Sequence, residues 1–230
     1  MRKSINHLYL IILISILSSV APMGVDTYLP SIPEIAKYFD VNIHKVELSL
    51  SIFLIGFAIG QIFGGPISDR YGRRVGSIVG LLGYALFSFL IIFSSSIYEL
   101  WIYRFLEAFF GGITVVNATA AVRDRFSGQE AAKVFSLIGM VRSLAPLLAP
   151  VFGAAIIHFF PWEGIFVFLT IYALIVAFFI YKDLPESFTY TKQNIIESYK
   201  LVLTHKKAMK AMLVLAISFG AFFIIIAKTS

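Results

Sequence analysis

Long apolar runs separated by short polar breaks organise this sequence. Stretches long enough to cross a bilayer, ~20 apolar residues each, run from Leu8 to Val25, Leu48 to Ile67, Val75 to Phe93, Ile97 to Ala120, Val134 to Ile157, Gly164 to Tyr181 and Met209 to Ala227. Their apolar positions lack the period-two alternation and short turns of barrel strands. Helices, the other structure whose backbone is satisfied within lipid, are therefore predicted. The expected fold is all-α, with seven candidate spans. Residues 182–208 are polar and carry both charge signs, with Ile195, Ile196, Tyr199, Val202 and Leu203 at helical spacing. They read as a cytoplasmic linker holding an amphipathic helix. The organisation expected is a six-helix bundle over 1–181, a linker over 182–208, and a seventh helix in 209–230 that begins a second half. An odd span after a complete six-helix unit implies truncation.

The start of the chain, with Arg2 and Lys3 before the run from Leu8, resembles a signal peptide, but no small-residue cleavage site follows. A first membrane helix is expected there. Composition agrees with the spans: 59% of residues are hydrophobic, 14% charged, and the mean hydropathy is +0.87, where soluble domains carry about a quarter charged residues. The net charge of +6 comes from short basic clusters between apolar runs, with no basic helix or aromatic-basic surface to follow a phosphate backbone. No nucleic-acid partner is expected.

Charge placement instead predicts orientation. With the N-terminus inside, the inner segments hold fourteen of the 19 basic residues: Arg2, Lys3, Arg70, Arg73, Arg74, Arg123, Arg125, Lys133, Lys182, Lys192, Lys200, Lys206, Lys207 and Lys210. The outer segments hold Lys37, Lys45 and Lys228. Basic residues collect on cytoplasmic loops, so a cytoplasmic N-terminus is predicted. Arg104 and Arg142 fall inside spans. The absence of cysteine removes disulfides and thiolate chemistry. His7, His44, His158 and His205 are scattered, and no nucleotide loop, metal cluster or nucleophile–base set is present. Neither an enzyme nor a cofactor is expected.

The break between the second and third spans reads Gly64-Gly65-Pro66-Ile67-Ser68-Asp69-Arg70-Tyr71-Gly72-Arg73-Arg74. In letters and in topological place this resembles the signature of the major facilitator superfamily. The resemblance implies two three-helix repeats of inverted topology, and a cytoplasmic latch formed by Gly65, Asp69, Arg70, Gly72, Arg73 and Arg74. Physically, Asp69 and the flanking arginines can form a charge network at helix ends, and the glycines permit close approach. Asp26, in Asp26-Thr27-Tyr28-Leu29-Pro30-Ser31-Ile32-Pro33, resembles the first-helix motif of the Bcr/CflA drug-resistance branch, which includes bicyclomycin resistance. A carboxylate at this depth marks a partner, a cavity or a proton site; an interfacial cap facing water is the bland alternative.

Arg104 lies at a depth comparable to that of Asp26. Pairing between them, opened by substrate or by a conformational change, would make a proton-coupling device. Tyr103-Arg104-Phe105-Leu106-Glu107-Ala108 matches the family's fourth-helix motif in part, with Glu107 in place of Gln and Ala108 in place of Gly. Glu107, one turn from Arg104, either pairs with it locally, the preferred reading, or is a proton site itself. In the fifth span Gly139, Arg142, Pro146, Pro150 and Gly153 share one helix face, and the segment from Pro146 to Gly153 resembles an antiporter motif. It is read as a hinge or seal. Arg142 at mid-span should meet a polar cavity, an acidic partner or a counter-anion, or else be satisfied by backbone carbonyls.

Gly56, Gly60 and Gly64, and likewise Gly76 and Gly80, form small-residue stripes for close packing. Trp101 and Trp162 are expected in interfacial belts. Trp162-Glu163-Gly164-Ile165-Phe166 and Leu184-Pro185-Glu186-Ser187 extend the resemblance over essentially the whole chain. It implies a drug:proton antiporter of the inner membrane whose partners are the lipid bilayer, protons and a hydrophobic or cationic drug-like molecule. A C-terminal half, or self-association, would supply the far wall of the cavity. Two alternatives stay open: a metabolite uptake porter on the same scaffold, and an inactive truncated remnant.

Overall fold

In a computed structural model the described residues are 7–186 and scattered positions between 204 and 214. The expected amphipathic linker helix and the seventh span fall, apart from those positions, outside the described residues. Every regular element among the described residues is a helix.

The first span is not one straight rod. Helix α1 (His7–Ser18) and helix α2 (Val20–Asp26) are separated at Ser19, and the segment Leu8–Ser18 meets the segment Val20–Tyr38 at 40°. Pro22 explains the break, because its ring has no N–H for the Ser18 carbonyl and crowds it. Serine hydroxyls satisfy nearby carbonyls: Ser15 donates to Ile11 O at 2.8 Å, Ser18 to Ile14 O at 2.9 Å and Ser19 to Ile16 O at 2.8 Å. The chain then passes through a 3-10 turn (Leu29–Ser31) and helix α3 (Ile32–Tyr38). The apolar run read as ending at Val25 therefore continues as largely helical chain to Tyr38.

Five long helices follow: α4 (Ile43–Tyr71), α5 (Arg73–Ile91), α6 (Ile97–Arg125), α7 (Gly128–Phe159) and α8 (Glu163–Asp183). Each is long and apolar enough to cross a bilayer, and the bent first pair makes a sixth span. Polar caps fix the starts of α4 and α6. Asn42 Oδ1 accepts from His44 N at 2.9 Å at the head of α4. At the head of α6, Ser96 Oγ accepts from Glu99 N at 3.3 Å while Glu99 Oε2 accepts from Ser95 N at 2.8 Å, a reciprocal arrangement close to a capping box.

Helix α6 is the most enclosed of the five long helices, packing against α1, α2, α4, α5 and α7. The neighbours obey a symmetry. Helix α4 packs on α6 as α7 packs on α1 and α2, α5 packs on α6 as α8 packs on α1, and α5 pairs with α8 and α1 with α6. Exchanging the first three spans with the second three leaves this set unchanged, as two three-helix repeats require.

The α4–α6 seam is made by the glycine stripe. A Cβ at Gly56, Gly60 or Gly64 would strike the backbone of Phe105, Phe109 or Ile113, so the absence of side chains sets the separation of the two helices. Gly76 and Gly80 similarly receive Asn117 and Thr114 of α6. Two expectations need correction. Gly65 has open space where its Cβ would be, so it provides no close approach. Trp162 is 1% exposed and packs within an aromatic cluster with Tyr38, Phe39 and Phe166; it is a core residue, because α3 folds back over it, and not a lipid-facing anchor. Trp101, in contrast, donates from Nε1 to Lys45 O at 2.9 Å near the N-terminal ends of α4 and α6.

Candidate functional site

Sequence depth brings Arg104 of α6 level with α2, and the structure joins them through the backbone. Arg104 Nη1 and Nη2 each donate to Gly24 O at 3.1 Å. Nη1 also donates to Glu107 Oε2 at 2.7 Å, and the other carboxylate oxygen, Oε1, accepts from Ser88 Oγ of α5 at 2.7 Å. Both charged side chains are 0% exposed. The guanidinium carbon lies 4.3 Å from the Phe53 ring centroid, 4.5 Å from Tyr28 and 5.8 Å from Phe166, so aromatic faces complete its coordination. Tyr28 Oη is in turn 2.9 Å from Ser49 Oγ. This centre ties together α2, α4, α5, α6 and α8.

The expected Asp26–Arg104 pair does not form. Gly24 faces Tyr84 and Phe53, whose atoms lie where its Cβ would be. Two residues further on, ~200° around the helix, Asp26 points elsewhere. It is half-buried, and among the described residues it takes part in no hydrogen bond or ion pair. Glu107 takes the arginine because one helical turn on the same helix already places it there.

A second polar centre lies at the opposite end of the bundle. Arg73 Nε donates to Asp124 Oδ2 at 2.7 Å, and its Nη1 to Asp69 Oδ1 at 2.5 Å and to Ser68 Oγ at 2.7 Å. The signature thus bridges α4, α5 and α6. Gly72 has φ +97°, a conformation glycine adopts without strain, and it lets α4 turn directly into α5. The segment after α8 closes over the turn: Glu186 Oε1 accepts from Arg74 N at 3.3 Å and Arg125 Nη2 donates to Pro185 O at 2.6 Å. Arg74 also donates to the Tyr181 carbonyl and stacks at 4.8 Å over its ring. Arg70 lies over Tyr71 at 5.5 Å. Sequence reasoning missed Asp124, Glu186 and Ser88 as partners. An acid between two arginines in Arg123-Asp124-Arg125, at the end of a span adjacent in the bundle, was the available signal for the first.

In α7, Gly153 packs against the Thr27 carbonyl and Pro30, which sets this end of the fifth-helix motif against the end of α2. Helix α7 remains one continuous element through Pro146 and Pro150. Arg142 Nε and Nη2 are buried without a hydrogen-bond partner among the described residues, so no backbone carbonyl there satisfies these two donors. Among the described residues no cluster of three metal-ligating side chains occurs.

Comparison with known proteins gives these features a family. The sequence model described as "Major Facilitator Superfamily" matches residues 14–228. A "Bicyclomycin resistance protein homolog" of Haemophilus influenzae is 35% identical over 97% of this chain and 58% of its own length. "Multidrug transporter MdfA" of Edwardsiella piscicida is 32% identical over 80% of this chain and 46% of its own. Among solved structures, the crystal structure of peptide transporter POT in complex with sulfate (its E310Q mutant) superposes with a TM-score of 0.68 at 16% identity, covering 95% of this chain and 45% of that one; this likeness concerns the fold. The chain spans about half the length of the curated relatives it matches.

Proposed function

Because this chain belongs to the major facilitator superfamily, we propose that it is part of a drug:proton antiporter, with a six-helix bundle over 1–181, a linker over 182–208 and the first helix of a second half over 209–230. It is a multi-pass membrane protein of a transporter family, not an enzyme. The proposal seats it in the inner membrane with a cytoplasmic N-terminus. Support comes from the end of the bundle that gathers Arg70, Arg73, Arg74, Arg123 and Arg125, against Lys37 and Lys45 at the other end.

The observation that carries the coupling is Asp26. Of the two carboxylates at depth, Glu107 is neutralised by Arg104 and accepts a hydrogen bond from Ser88, whereas Asp26 is half-buried and unpaired among the described residues. A carboxylate in a low-dielectric setting is stable when protonated or when a cation sits beside it. A proton and a cationic drug therefore compete for one group, and loss of one accompanies arrival of the other. The Asp69–Arg73–Asp124 network, strapped by Glu186 and Arg125, would close the cytoplasmic end in the outward-facing state. Opening it exposes the cavity to the cytoplasm, as alternating access requires. Drug-like cargo is supported by the names of the relatives. Asp26→Asn should abolish ΔpH-driven dye efflux in vesicles carrying the complete transporter while leaving its amount in the membrane unchanged; preserved coupling removes Asp26 as the proton site.

A further inference from the structure

The two arginines within the spans have opposite surroundings. Arg104 is enclosed by a carboxylate, a carbonyl and three aromatic faces. Arg142 lies near the middle of α7, roughly 21 Å of helix rise from its first residue. Among the described residues its Nε and Nη2 are buried without an acceptor, and its side chain forms no ion pair. The backbone beside it is equally open, since Pro146 has no N–H for the carbonyl four residues earlier, that of Arg142. One turn of a membrane helix thus presents an unmatched guanidinium and a carbonyl without its helical donor.

That turn belongs to a defined face. Gly139, Arg142, Pro146, Pro150 and Gly153 recur at intervals of three or four, and the outer end of this face meets Thr27 and Pro30, next to Asp26. Asp26 is a second charge at depth with no ion pair among the described residues. Gly153 and Arg142 are separated by ~16 Å along the helix, so the face runs from a lone carboxylate to a lone guanidinium with no ion pair between them. A guanidinium held at this depth calls for an anion, and its planar fork fits the two oxygens of a carboxylate.

We infer that Arg142 binds the acidic group of the transported molecule, so that the substrates include amphiphilic organic acids and zwitterions beside the hydrophobic and cationic molecules expected from Asp26. This rests on the transport reading, but its test needs no proton gradient, so loss of coupling at Asp26 does not affect it. The chain is reconstituted in lipid nanodiscs, and binding of anthracene-9-carboxylate and of its uncharged methyl ester is followed by fluorescence anisotropy. The acid should bind at least tenfold more tightly than expected from its partitioning relative to the ester. Arg142→Gln should remove that advantage and leave the ester within twofold, and Arg142→Lys should keep part of it. Equal binding of acid and ester by the unmodified chain overturns the inference; it is also the outcome if the carboxylate that meets Arg142 belongs to the protein, and it requires no variant to fold. Equal weakening of both ligands in Arg142→Gln assigns the residue to packing and overturns the inference as well.

Discussion

Arg104 shows how a charge inside a membrane protein is matched: by a carboxylate one turn away, a carbonyl from a broken helix and three aromatic faces. Removing Glu107 leaves the guanidinium buried without a counter-charge, which for buried pairs costs on the order of 3–5 kcal/mol. Glu107→Ala should therefore lower the thermal midpoint of the purified protein sharply. Glu107→Gln keeps an acceptor for Arg104 and should lose less; equal losses would show that neutralisation, not hydrogen bonding, dominates the centre. The pair of residues was legible in the sequence, because spacing of three on a helix brings them together whatever the fold. The exclusion of Asp26 was not legible, since it depends on how α2 is rotated about its axis once Gly24 is pressed against Phe53 and Tyr84.

Between helices, the separation of α4 and α6 is set by backbone atoms seated on glycines. A side chain at Gly60 collides with the Phe109 carbonyl, which is part of a helix and cannot rotate away. Gly60→Val should cost about 1–3 kcal/mol or more, as overpacking does. Gly65→Ala, into open space, should be neutral or stabilising by up to about 1 kcal/mol through helix propensity. Thermal unfolding of the two variants in one detergent separates a packing glycine from one carried only by the motif. The four-residue period announced the stripe, but only its partner helix reveals which glycine ends it. The kink in the first span has a local cause, Pro22, yet apolar patterning alone does not register it, because both sides of the break are equally hydrophobic.

At the level of the whole molecule, the six spans of residues 7–186 form a bundle whose neighbour relations repeat after three helices. One end carries the arginine network and the other the Trp101–Lys45 contact. The chain contains no cysteine, so single cysteines report orientation without background. Ser95→Cys, in the α5–α6 turn, should react with a membrane-impermeant maleimide applied to intact cells. Ser127→Cys, in the α6–α7 turn, should react after permeabilisation alone. The reverse pattern would invert the proposed topology.

The sequence by itself determined the number and order of the spans in this region, their helical nature, the basic end of the bundle and the family. Each follows from properties additive along the chain: hydropathy per residue, charge per loop, and letters at fixed spacing. Tertiary structure decided which charges are matched. It gave Arg104 to Glu107 and Gly24, brought Asp124 and Glu186 to the signature loop, buried Trp162, and left Asp26 and Arg142 without an ion pair among the described residues. Those outcomes depend on the rotation and contact of helices distant in sequence, which no local pattern specifies.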